Sequence, residues 1–199
     1  YADDVITIGV TGTRGKTTTT YLIYEIIKSW LAKEKSLRKV FLAGNVKGNS
    51  TLALLGKIKS KDIVVMEMDS WCLNGLGNIN KSPNISVFTN FMPDHLNFYL
   101  KGSQNEKEAL AKYFNDKAFI YSNQKKEDFL ICGEKVSSKI GITTSTKIVA
   151  SKKDVSNAWK IKIPGKHNLE NISCAIRVAD ILNISKNIVR KVVESFCGV

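Results

Sequence analysis

Residues 6 to 18, Ile-Thr-Ile-Gly-Val-Thr-Gly-Thr-Arg-Gly-Lys-Thr-Thr, restrict the fold more than any other stretch of the chain. An apolar run enters a Gly/Thr loop, which ends on Lys16-Thr17-Thr18. Tyr21, Leu22, Ile26 and Ile27 then recur at helical spacing. Strand, glycine loop and helix in that order are the layout of a phosphate cradle. The glycines let successive backbone N–H groups turn inward around an anion. The helix start adds roughly half a positive charge at the same place. Lys16 then reaches the β/γ-phosphates and the Thr17 hydroxyl serves a magnesium ion. The match to G-x-x-x-x-G-K-[ST] is incomplete, since the pattern asks for glycine where the chain has Val10. The plain alternative is a tight strand-to-helix turn that carries Lys-Thr and binds nothing.

A chain of 199 residues suits one domain, or one with a small appendage. It is 43% hydrophobic and 24% charged, an ordinary globular composition. No apolar run approaches the roughly 20 residues of a membrane span, and the opening Tyr1-Ala2-Asp3-Asp4 has no signal-peptide character. The absence of an initiator methionine suggests a piece of something longer. Cys72, Cys132, Cys174 and Cys197 form no C-x-x-C pair, so neither a zinc site nor a disulfide framework is indicated. A reducing cytoplasm is the simple reading. The formal charge of +12 favours anionic partners. The lysines are scattered, however, without an arginine-rich arm, so nucleic acid is weakly supported. A nucleotide phosphate accounts for the charge as well.

Short apolar strands alternate with helical patterns. Strands are expected over Val5–Val10, Lys39–Ala43, Ile63–Met66, Ile85–Thr89 and Ala118–Tyr121. Helices are expected over Thr18–Leu31, Ser50–Ile58, Glu106–Phe114, Asn168–Leu182 and Ser185–Phe196, the last capped by Ser185. This alternation implies an α/β fold with a mostly parallel sheet flanked by helices. Phe129–Cys132, Lys147–Val149 and Trp159–Ile163 lack strong helices between them and read as a smaller, partly antiparallel extension. No repeat or low-complexity tract is present.

Three further groups can carry chemistry. Glu67 and Asp69 follow the Ile63–Met66 strand. In a doubly wound sheet that is the ligand-binding end, so a carboxylate there is a magnesium candidate, or else a solvated acid. His95, in Pro93-Asp94-His95-Leu96-Asn97, also follows a strand and is one of two histidines. It is either a structural histidine or, with Lys16 and Glu67, part of a metal-phosphate site. Asn168 and Asn171, in Pro164-Gly165-Lys166-His167-Asn168-Leu169-Glu170-Asn171, stand one helical turn apart. They offer amides to a purine edge, unless Asn168 merely caps the helix.

Thr11–Thr18, Glu67–Leu73, Asp94–Asn97 and Pro164–Asn171 occur in the order of the Mur ligase family, and together they resemble its central, P-loop NTPase-like ATPase domain across essentially the whole chain. These enzymes use ATP to add amino acids to the UDP-muramoyl peptide of peptidoglycan precursors. The resemblance is strongest to the member that adds D-glutamate to UDP-N-acetylmuramoyl-L-alanine through an acyl phosphate. It implies ATP and Mg²⁺ as cofactors, a cytoplasmic monomer, and no nucleic-acid or membrane partner. It also implies that an N-terminal UDP-binding domain and a C-terminal amino-acid-binding domain lie outside this chain. The nucleotide would be held by Gly12, Thr13, Arg14, Gly15, Lys16, Thr17, Thr18, Asn168 and Asn171. Thr17, Glu67, His95 and Lys117 would serve the metals, and Asn45 the muramoyl substrate. Lys117 enters through Tyr113-x-x-x-Lys117-x-x-Ile120-Tyr121, which is similar to the family's carbamylated-lysine pattern; otherwise it is one of many solvated lysines. Lys117 stands 22 residues after His95, a longer spacing than the resemblance implies, which suggests an insertion within Lys101–Lys112. Three departures bear on the substrate rather than the nucleotide: Asp69-Ser70 in place of Ser-Ser, Trp71-Cys72 in place of Phe-Gln, and an Asn45-Val46-Lys47-Gly48 turn one residue longer than usual. The rival readings are a ligase adding meso-diaminopimelate or lysine, a folate polyglutamylase, or a module that binds ATP without ligation.

Overall fold

The computed structural model describes residues 4–48 and 51–199. Six strands form one sheet in the order β2-β3-β1-β4-β5-β6. They are β1 Ile6–Thr11, β2 Val40–Gly44, β3 Ile63–Glu67, β4 Ile85–Phe88, β5 Phe129–Gly133 and β6 Thr146–Ala150. Every neighbouring pair runs parallel. A parallel sheet is covered on both faces, and the central strands are accordingly buried at most positions, Thr11 and Ser86 included. Ile8, Val10, Ile63, Val64, Val65 and Val87 have essentially no exposure.

The helices are α1 Lys16–Lys33, α2 Ser70–Asn78, α3 Leu96–Tyr99, α4 Glu106–Ser122, α5 Glu134–Ser137, α6 Asn168–Ile181 and α7 Lys186–Ser195. On one face, Leu22, Ile23, Ile26 and Ile27 of α1 join Ile172, Ala175 and Val193 of α6 and α7 in the main core against the sheet. On the other, Leu73 of α2 and Ile120 of α4 pack with Met68. Strand β1 lies between β3 and β4, so the connections diverge to either side of it. A crevice at the carboxyl ends of the strands follows from that reversal.

The α/β fold and its parallel sheet stand as expected, with corrections. No antiparallel extension exists among the described residues: β5 and β6 continue the sheet in parallel. Trp159–Ile163 is not a strand. Trp159, Ile161 and Ile163 face the main core, and the Lys160 N–H is satisfied by Glu194 Oε1 at 3.0 Å rather than by a neighbouring strand. Ala118–Tyr121 is the last turn of α4, which keeps Ile120 on the helix face that also carries Tyr113 and Lys117. Of the helix expected over Ser50–Ile58, only a 3₁₀ turn at Leu52–Leu54 forms; Ser50 itself lies outside the described residues. Ser185 precedes α7 but its hydroxyl caps nothing.

Candidate active site

The glycine loop sits on the carboxyl end of β1 and is clamped by the residues after β4. The Thr13 N–H donates to Asn90 O at 3.0 Å, and the Arg14 N–H to Asn90 Oδ1 at 2.9 Å. Thr89 Oγ1 donates to Arg14 O at 2.8 Å. The Met92 N–H donates to Thr13 Oγ1 at 3.0 Å. The loop is therefore shaped before any ligand arrives. Gly15 adopts a left-handed φ of 78° and passes directly into α1, whose N-terminus carries no side-chain cap. The N–H groups of the first turn of this 18-residue helix thus lack intrahelical partners, as an anion-binding terminus requires.

Beside the loop, Glu67 ends β3. It is 4% exposed, and its Oε2 has no hydrogen-bond partner. Burial raises its pKa, while the Thr17 hydroxyl and the Lys16 charge act in the opposite direction. A buried carboxylate oxygen without a partner is costly unless a ligand completes it. Thr17 and Glu67 fit one hard cation shared with phosphate oxygens, because Mg²⁺ takes few protein ligands beside substrate phosphates. No group of three or more His, Cys, Asp or Glu side chains able to hold a metal occurs among the described residues. Asp69, the other carboxylate after β3, N-caps α2 by accepting from the Cys72 N–H at 2.8 Å. It also accepts from Asn45 Nδ2 at 3.3 Å, while the Asn45 N–H donates to Glu67 O at 2.8 Å.

Lys117 lies within α4, not at a helix-to-strand junction. It is 2% exposed, and its Nζ donates to Gly12 O at 3.0 Å. Burial, aided by the Lys16 charge, lowers its pKa to about 8. Its ammonium lies 4.8 Å from the centre of the Tyr113 ring, one turn back on the same helix. The Tyr113 ring also neighbours His95, whose imidazole is 5.9 Å from Tyr113 and 5.1 Å from Trp71. His95 holds a left-handed φ of 54°. The structure thus gathers Lys16, Thr17 and Glu67 in one place and Lys117 against the loop, with His95 linked to Lys117 through Tyr113.

On the far side of the loop a cleft of about 510 Å³ is lined by Gly15, Thr18, Asn90, His167, Asn168 and Asn171, among others. Asn168 is buried and does not cap the helix; His167 holds that position. Asn168 Nδ2 donates to Pro164 O at 2.7 Å, and its Oδ1 accepts from Asn171 Nδ2 at 2.8 Å. The pair is a fixed unit rather than two loose amides. Thr89 and Asn90, which hold the loop, were not singled out from the sequence. Their signal was available as a polar pair directly after an apolar strand at the ligand-binding end.

The Mur ligase middle domain, as a family, matches residues 10–145. The chain belongs to that family. Among curated relatives of this Mur ligase domain, the UDP-N-acetylmuramoylalanine--D-glutamate ligase of Geobacillus sp. (strain WCH70) is 30% identical over 214 residues. That alignment covers 96% of the chain and 44% of the relative. The enzyme of the same description from Clostridioides difficile (strain 630) is 28% identical over 223 residues, covering 100% of the chain and 46% of the relative. The chain therefore spans less than half the length of these relatives. Among solved structures, MurF from Acinetobacter baumannii superposes with a TM-score of 0.69 at 18% identity, over 99% of this chain and 47% of that one. The MurF ligase of Thermotoga maritima, described as in complex with ADP, gives 0.66 at 20% identity over 97% and 48%. These structural matches establish the Mur ligase fold. No helix among the described residues is long and apolar enough to cross a membrane.

Proposed function

We propose that this chain is the nucleotide-handling central domain of an ATP-dependent ligase that adds D-glutamate to UDP-N-acetylmuramoyl-L-alanine. The relatives' descriptions support the acceptor and the amino acid. The observation that carries the nucleotide reading is the uncapped α1 terminus set against the partnerless Glu67 Oε2, with Lys16 and Thr17 between them. The N–H groups of Gly15 to Thr18 and the Lys16 ammonium bind the ATP phosphates, Arg14 lines the cleft, and Asn168 and Asn171 meet the adenine edge. Thr17 and Glu67 would hold a magnesium ion, which would supply neutralisation of phosphate charge when bound. The γ-phosphoryl moves to the acceptor carboxylate. The amine of the amino acid then attacks the acyl phosphate and phosphate leaves. Asn45 faces the muramoyl acceptor. His95 would serve a second cation together with Lys117, once the Lys117 amine has added to CO₂ and lost a proton to become a carbamate anion. Desolvation of Lys117 favours that step, because it enlarges the neutral amine fraction near pH 8. UDP and amino-acid recognition belong to domains outside this chain, and the whole acts as a cytoplasmic monomer.

The test is calorimetry of ATP with Mg²⁺ on Lys16→Ala. Loss of the point-charge partner of the polyphosphate weakens binding by at least about tenfold, or about 1.4 kcal/mol. Unchanged affinity removes the phosphate-loop assignment.

A further inference from the structure

Beside the nucleotide cleft, a groove of about 770 Å³ runs along α4. Half-buried Phe91, Leu110 and Phe114, with the exposed Ala111 beside them, make its apolar floor, and the exposed Glu106, Lys107, Asn115 and Lys139 its rim. The segment read from the sequence as an insertion, Lys101–Lys112, supplies Glu106, Lys107, Leu110 and Ala111. The groove's volume falls in the range of small-molecule sites, and its make-up, an apolar floor with a few polar groups around it, is what such sites use.

The charges select the occupant. Lys107 and Lys139 have no carboxylate partner among the described residues. The Lys139 ammonium lies 6.0 Å from the centre of the Phe91 ring, above the floor. Glu106 offsets one of the two lysines, and a net positive rim remains. We infer that this groove binds a small aromatic molecule carrying one anionic group, whose ring lies on Phe91 and Phe114 and whose charge meets Lys139 and Lys107.

Phe91 also connects the groove to the glycine loop. Its ring packs on Phe114 at 5.1 Å and on Tyr113 at 5.3 Å. Its chain neighbours Asn90 and Met92 are the residues that hold Thr13 and Arg14. Phe91 lines the nucleotide cleft as well. A molecule bound in the groove thus presses on the wall that shapes the loop.

Anilinonaphthalene sulfonate, an aromatic monoanion, is the probe. Fluorescence titration of the native chain is expected to give one saturable site. Ala111→Trp fills the floor, and Lys139→Glu reverses the rim; each should weaken binding by roughly fivefold or more, and Lys139→Arg should restore it. Amide hydrogen exchange of residues 12–16 should slow when the probe is bound. That readout needs no nucleotide, so its outcome is separate from the ATP-binding reading on which only the loop's role rests. Probe binding that ignores both Ala111→Trp and Lys139→Glu, with the variants' thermal unfolding unchanged, overturns the site. Saturable binding without any change in exchange at residues 12–16 overturns its connection to the loop.

Discussion

Gly15 stands where the phosphate loop becomes α1, and its position leaves no room for a side chain. A Cβ there would come within 2.2 Å of Asn171 Oδ1, and φ is 78°. Left-handed backbone costs a non-glycine residue roughly 1–2 kcal/mol. Gly15→Ala should therefore lower stability by about that amount and push Asn171 off Asn168, weakening nucleotide binding further. Chemical denaturation and ATP calorimetry on one preparation read the two effects separately. Lys117 gives a second test at this scale. Unfolded, it titrates near the ordinary lysine value of 10.5; folded, at about 8. Between those values the unfolded chain keeps a proton that the folded chain has released, so stability rises with pH across this window. Below pH 8 both states are protonated and the full cost of the buried ammonium is present. Lys117→Met should flatten the rise between pH 8 and 10.5 in urea unfolding followed at a series of pH values. Parallel wild-type and Lys117→Met profiles would show that the ammonium is not desolvated.

Helix α2 owes its start to Asp69, whose carboxylate caps it and also holds Asn45. Asp69→Ala should cost about 1 kcal/mol and lower Tm by roughly 2–4 °C, while Asp69→Asn keeps most of the cap. Thermal unfolding of the two variants distinguishes capping from a general need for charge. This helix was not anticipated from the sequence, and its neighbour α4 was cut short, for related reasons. Ala118-Phe119-Ile120-Tyr121 is a short apolar run with aromatic and branched residues, and periodicity alone does not separate such a run from a buried helical turn. What decides it is the face shared by Tyr113, Lys117 and Ile120, which becomes visible only once the sheet beneath is known. The strands were easier. β1, β3 and β4 are short stretches rich in Ile and Val, as strands covered on both faces of a parallel sheet require. The phosphate loop was legible because glycine, lysine and threonine at fixed spacing have a mechanical purpose. The burial of Lys117 was not, since nothing in its own side chain distinguishes it from the other lysines. Only the surrounding Tyr113, Ile120 and Tyr121 pattern marked it.

On the proposed reading, the chain holds one reactant of three. The glycine loop, Glu67 and the Asn168–Asn171 pair serve the nucleotide, while the acceptor and the amine need surfaces beyond it. Supplied with ATP, Mg²⁺, UDP-N-acetylmuramoyl-L-alanine and D-glutamate, this chain should bind nucleotide yet form no amide above background, because the rate depends on holding all reactants together. Chromatographic detection of the dipeptide product checks this; product formation would place the missing recognition within these residues. The strand order has a consequence in time as well. β1 precedes both of its partners in the chain, and is paired on each side by a later strand, Ile6 with Ile63 and Ile8 with Ile85. As the chain leaves the ribosome at about 5–20 residues per second, β1 waits for several seconds with both edges open. Non-local parallel pairing then closes slowly. The phosphate loop, set between β1 and Asn90, therefore takes its shape only after the chain has been made past β4, and translation pauses before that point would prolong the exposure of a bare apolar strand.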